Sequence, residues 1–246
     1  MNGPDGLPTD PLQDGRPACH RGTPRSRPWR LLASDIFRAL PADDLELLHQ
    51  WREGDETAGQ TLFERHFDSV YGFFCNKVGP DAVDDLVQET FFGIVRSRDR
   101  FREEATFRTY LFAIAHRQMM KYRERWYKAR DRGANFDLER IEALDGSPSQ
   151  LVISHSEQAL LVRALRHLEL DLQIVLELFY WQDLRSLDIS EILDLPHGTV
   201  RSRIRRAREQ LAERIEKLAE DPALCASTVG NIEDWLRSLQ GRRAKS

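Results

Sequence analysis

Between Arg201 and Arg208 the chain holds five arginines and no acid, within the stretch HGTVRSRIRRAREQL at residues 197–211. Guanidinium groups bond guanine bidentately in the major groove and clamp phosphates. In the same stretch Val200, Ile204, Ala207 and Leu211 recur at three and four, which stripes one helix face with apolar groups. That leaves Arg201, Ser202, Arg205 and Arg206 on the exposed side, with Thr199 at the helix start. The N-terminal residues of a helix seated in the major groove read bases, and later arginines meet phosphates.

A second cationic island runs from Arg117 to Arg132, with seven Lys/Arg against two acids. Here Tyr110, Tyr122, Trp126 and Tyr127 interleave with Arg117, Lys121, Arg123 and Arg125. Aromatic platforms beside cations suit unstacked bases, where stacking contributes ~1–3 kcal/mol per base. Phe107, Tyr110 and Tyr122 also fall on an apolar stripe and read first as core, so Lys121, Arg125 and Lys128 are the stronger DNA candidates. A third group, Asp84, Asp85, Gln88 and Glu89, lies within two helical turns and forms an acidic, hydrogen-bonding face. The two aspartates could instead cap a helix start. Acid/base or metal chemistry would need a histidine or a third ligand, and neither is placed there. No catalytic residue, metal site or cofactor is expected.

These groups sit on an acidic protein of 246 residues with formal net charge -4. The two islands carry +5 each, so the remaining residues sum to -14. Cations gathered in two places on an otherwise acidic chain imply two contacts with a polyanion.

Helices must position all three groups. Phe63, Phe67, Val70, Tyr71 and Phe74 recur at helical spacing. So do Val87, Phe91, Ile94 and Val95, and then Phe107, Tyr110, Leu111, Ile114, Ala115, Met119 and Tyr122. A second block carries Leu161, Ala164, Leu165 and Leu168, then Leu172, Val175, Leu176 and Phe179. Leu187 or Leu184, with Ile189, Ile192 and Leu193, lines a short helix that DLPHG interrupts, Asp194 tolerating the left-handed turn. No stretch alternates with period two, so the fold class is all-α: two small helical domains joined by a flexible linker. Residues 1–30 hold six of the eleven prolines and few large apolar side chains, which predicts a disordered leader. Residues 133–150 lose periodicity and contain DGSPS, which predicts the linker.

In the tail, Asp221-Pro222 ends the arginine-rich helix. Asn231 is a good N-cap, and Ile232, Trp235, Leu236 and Leu239 give a short amphipathic helix that must pack on something to persist. Its expected role is to cover part of the second domain until a partner displaces it.

No apolar run approaches the ~18–20 residues that span a bilayer, and no secretory signal is visible. Cys19, Cys75 and Cys225 suggest neither a disulfide framework nor, with His20 beside Cys19, a metal site. A reducing cytoplasm fits best.

GPDAVDDLVQETFFGIV followed by RFREEATFRTYLFAIAHRQMMKYRER resembles the second conserved region of bacterial sigma factors, most closely the extracytoplasmic-function (ECF) group of the sigma-70 family. HGTVRSRIRRAREQL resembles the fourth region of the same group, in the expected order. The resemblance spans about residues 43–217. It implies a leader at 1–40, region 2 at 41–132, a linker at 133–155, a region 4 helix-turn-helix at 156–218 and a tail at 219–246. It also implies a dissociable, non-enzymatic subunit of RNA polymerase that recognises promoters and melts DNA.

By that resemblance Asp84, Asp85, Gln88 and Glu89 dock on core polymerase. Arg102, Glu103, Glu104, Ala105 and Thr106, with Arg117, Lys121, Arg125 and Lys128, contact the -10 element. Thr199, Arg201, Ser202, Arg205 and Arg206 contact the -35 element. The implied partners are core RNA polymerase, promoter DNA and an anti-sigma factor, with no membrane insertion and a monomer when free. Two departures stand out. The family's usual proline after the first leucine of HLELDLQIVLELFY is absent, and a phenylalanine often found among the recognition arginines is Arg205. The -35 sequence therefore cannot be borrowed from a relative. An autonomous helix-turn-helix regulator, or a purely protein-binding helical adaptor, would also use parts of this pattern.

Overall fold

The computed structural model describes residues 43–130, 135–145, 157–219 and 221–238. The leader and most of DGSPS lie outside them. Among the described residues the elements are helices, with no strand. α1 (Asp44–Arg52), α2 (Glu56–Cys75), α3 (Pro80–Ser97) and α4 (Phe107–Ala129) build the first half. Their starts follow local chemistry. Asp55 accepts from the amides of Thr57 and Ala58, Pro80 opens α3 where its missing N–H costs nothing, and Thr106 caps α4 through the Thr109 amide. α1 lies close on α2 because residue 59 is glycine, since a Cβ there would come within 2.6 Å of the Trp51 ring. The core joins Leu48, Leu62, Phe73, Phe74, Ile94, Leu111, Phe112 and Met119.

The second half holds α6 (Glu157–Arg166), α7 (Leu170–Tyr180), α8 (Ser186–Leu193) and α9 (His197–Leu218). α7 is apolar almost all round and is buried accordingly. Leu170, Ile174, Val175 and Leu178 join the core of the first half, with Ile189, Ile192, Val200 and Ile204. Leu172, Leu176 and Tyr180 join a second core with Leu161, Leu165, Ala207, Leu211 and Ile215. α7 is thus shared by two cores, and the two halves pack on each other.

The aperiodic segment expected as linker contains a helix, α5 (Phe136–Asp145), started by the Asn135 side chain on the Asp137 amide. Its Arg140 is buried between the halves. The guanidinium donates to Asn76 O (3.1 Å) and Gln173 Oε1 (2.8 Å), and to Arg166 O (3.0 Å) and Leu168 O (3.1 Å). Beside it, fully buried Lys77 pairs with fully buried Glu177 of α7, and Gln173 donates to Glu177 Oε1 at 2.9 Å. Arg123 of α4 reaches Asp171 of α7 at 3.0 Å.

The tail adds α10 (Pro222–Gly230), which no sequence stripe announced, and α11 (Ile232–Ser238). Asp221 caps α10, and Asn231 is the turn residue between the two helices. Leu236 is buried in the second core, Trp181 Nε1 donates to Leu236 O at 2.7 Å, and Glu233 pairs with Arg208. The side chain of Trp235 and all of Leu239 lie outside the described residues.

His116 on α4 sits at the junction of the halves, bonded to the Ile192 backbone of α8. Burial pushes it down from 6.5 to about 4, while the Asp171 carboxylate pulls upward and Arg123 and Arg117 push down. The imidazole is neutral in the fold and protonates once released. Its stabilisation is therefore complete above pH 6.5 and is lost as pH falls toward 4. Urea unfolding should show wild type losing about 2 kcal/mol more than His116→Gln between pH 7 and pH 5. Equal losses would remove His116 as the cause.

Candidate nucleic-acid interface

α8 and α9 form the two helices of a helix-turn-helix. Asp194 takes the left-handed conformation (φ 53°, ψ 51°) that turns the chain between them. Ile189 and Ile192 face the core as the pattern required. Leu184 is the buried partner, while Leu187 is exposed. On α9 the apolar stripe Val200, Ile204, Ala207, Leu211 and Ile215 is buried, so Arg201, Ser202, Arg205 and Arg206 stand exposed and Thr199 is half-buried. Ser202 Oγ donates to Thr199 O at 2.8 Å, and Arg205 lies 3.7 Å from Glu209. The other two arginines are tethered, Arg203 toward Asp171 at 3.9 Å and Arg208 by Glu233. The exposed set is thus concentrated in the first three turns of the helix.

On α4, Arg117, Lys121, Arg125 and Lys128 are exposed along one side. Arg117 bonds Ala113 O of its own helix at 3.1 Å and Lys128 pairs with Glu124 at 2.6 Å, both contacts that a phosphate could replace. The aromatics divide as the stripe implied. Phe107 is buried. Tyr110, Tyr122 and Trp126 are half-buried, Trp126 against Phe136 at 5.1 Å, and Tyr127 is exposed.

The loop before α4 carries the third element. Phe101 stacks on Tyr110 at 4.3 Å, and the Tyr110 hydroxyl bonds Ser97 Oγ. A cleft of about 340 Å³ opens there, lined by Arg100, Arg102, Glu104, Ala105 and Tyr110, with Glu191 and Ile192 of α8 across it. Glu103 and Thr106 do not line it. Thr106 is the α4 cap. Glu103 has φ of +62°, uncommon for a residue with a side chain and costing roughly 1–3 kcal/mol where it persists. Its carboxylate turns to α1, where the His49 hydrogen bond and then the Arg52 one hold it below the usual carboxylate range. His49 and Arg52 carried no periodic or motif signal in the sequence, because their role depends on a contact some fifty residues away.

On α3, Asp84, Asp85, Gln88 and Glu89 are exposed. The helix begins at Pro80, so the two aspartates stand in its second turn and are not caps. The exposed side continues through Phe92 and Val95. Among the described residues no three His, Cys, Asp or Glu side chains gather as a metal site, and no helix is long and apolar enough to cross a membrane. Cys19 and His20 lie outside those residues.

Fold and surface together define an all-helical protein with a helix-turn-helix module beside a second helical module that bears its own basic helix. Comparison with known proteins narrows this. Sigma-70 region 2 matches residues 62–129 and Sigma-70 region 4 matches residues 158–211. The ECF RNA polymerase sigma-E factor of Haemophilus influenzae is 31% identical over 184 residues, covering 71% of this chain and 96% of that protein. Its namesake in Escherichia coli is 30% identical over 185 residues, with 71% and 95% covered.

Among solved structures, CnrH in complex with the cytosolic domain of CnrY superposes with TM-score 0.52 at 23% identity over 72% of this chain and 99% of that one. The sigma factor RpoE of Bartonella quintana, in complex with the anti-sigma factor NepR, gives 0.51 at 19% identity over 65% and 98%. The chain belongs to the ECF group of the sigma-70 family, and is accordingly a regulatory subunit of RNA polymerase and not an enzyme.

Proposed function

We propose that this sigma factor brings core polymerase to promoters by three separate surfaces, in the cytoplasm and as a monomer when free. Asp84, Asp85, Gln88 and Glu89 dock on the polymerase. Thr199, Arg201, Ser202, Arg205 and Arg206 read the -35 element in the major groove. Arg102, Glu104 and Ala105 receive an unstacked base of the -10 element, and Arg117, Lys121, Arg125 and Lys128 follow its backbone while the duplex melts. Acidic surface elsewhere limits unproductive DNA binding, since phosphate affinity rises with each neutralising cation. The observation that carries this reading is that the charged members of all three groups are exposed and stand on separate elements of one chain.

Holding both promoter elements also requires the halves to move. Elements named for positions -35 and -10 lie about 25 base pairs apart, roughly 85 Å of duplex. With α8 packed against α4, one half cannot reach its element while the other holds its own, so the halves must part on the promoter. An anti-sigma factor, as NepR is for RpoE of Bartonella quintana, would act on this chain by favouring the packed arrangement.

Run-off transcription by core polymerase with and without the chain tests the reading. Transcript that depends on the chain is expected, and specific duplex binding without polymerase would favour an autonomous regulator. Asp85→Arg with Gln88→Ala should weaken core binding at least tenfold in competition while helicity by circular dichroism is retained, because both side chains are exposed. Unchanged core affinity would remove the docking assignment.

A further inference from the structure

We propose that Arg52, seconded by His49, is a positioning residue that sets the shape of the Arg102–Ala105 loop and thereby its choice of base. This rests on the reading of that loop as the -10 contact. Arg52 is the last residue of α1 and lies outside the span matched by region 2. Its guanidinium donates to Arg98 O from Nε (3.0 Å) and Nη2 (2.5 Å), and to Phe101 O from Nη2 (2.7 Å), and its Nη1 pairs with the Glu103 carboxylate. His49 Nε2 lies 2.8 Å from each Glu103 oxygen. The Arg98 guanidinium lies over the Trp51 ring at 4.3 Å, so adjacent α1 residues grip the segment from two sides.

The consequence is directional. Holding Glu103 toward α1, with its backbone in the left-handed region, carries the chain past it so that Arg102 and Glu104 both line the cleft. Three backbone and side-chain attachments to one planar fork cannot be reproduced by a lysine, which has a point charge and no fixed geometry. Base recognition by close contacts is sensitive to displacements that leave a helical core intact.

The test uses the full chain with core polymerase and a template library randomised across both promoter elements, with sequencing of the templates that yield transcript. Arg52→Lys should flatten base preference in the -10 element by about fivefold or more, the loss of one good contact. Preference in the -35 element and affinity for core should stay unchanged. Glu103→Gly, which accepts the backbone conformation but drops the tether, should do the same, and serves if Arg52→Lys folds poorly. Arg102→Ala with Glu104→Ala reports on the loop itself. If this pair flattens -10 preference while Arg52→Lys and Glu103→Gly leave it intact, the positioning role is overturned and the loop reading stands. If the pair also leaves it intact, both fall.

Discussion

Glu177→Leu alone should destabilise the packed chain by about 3–5 kcal/mol, because it removes the carboxylate paired with the buried Lys77. Both side chains have no solvent exposure, one in the turn after α2 and the other on α7. Lys77 retains Phe73 O and the Phe73 ring at 4.1 Å, which do not neutralise a charge. The double change Lys77→Met with Glu177→Leu should recover most of the loss, since a well-packed apolar pair is often as stable as a buried ion pair. Urea unfolding of the two single variants and the double variant measures this as a coupling energy. A Glu177→Leu cost below 1 kcal/mol would mean the pair does not hold the halves.

The two cationic helices should fail in different ways. Arg201→Ala or Arg205→Ala should lower discrimination at the -35 element by ~1–3 kcal/mol where a guanine contact is lost. Each is exposed in the first turns of α9, and neither is one of the two arginines, Arg203 and Arg208, engaged by Asp171 and Glu233. Lys121→Ala or Arg125→Ala should instead slow promoter opening, read as reduced permanganate reactivity near -10, with -35 discrimination retained. If both sets lower affinity alike for every sequence, α4 and α9 do not divide the work as proposed.

Much of this was legible in the chain because period and punctuation are local. The stripe of α9 placed its arginines on the outside, and Asp194 marked the turn through its own tolerance of a left-handed backbone. Asp84, Asp85, Gln88 and Glu89 needed only helical spacing to be seen as one face. What escaped depended on distant partners. α5 lacks a clean stripe because its main contribution is one buried cation, Arg140, which donates to carbonyls of Asn76, Arg166 and Leu168 in two other segments. Glu103 read as a DNA contact by its place in a motif, and only the fold reveals that Arg52 and His49 claim its carboxylate. α10 was missed since Leu224, Cys225 and Val229 offer small, part-buried contacts and no broad face.

The sharing of α7 between two cores has a thermodynamic corollary. Any parting of the halves uncovers Leu170, Ile174, Val175 and Leu178, together with Ile189 and Ile192 of α8, all now shielded from water. Exposed apolar surface on that scale is unfavourable by several kcal/mol, so the extended form proposed for the promoter would persist only while something else occupied that surface or was bound to the chain. The population of extended molecules then follows ligand concentration relative to its dissociation constant. The chain would behave as a reserve released in proportion to the unoccupied polymerase in the cell.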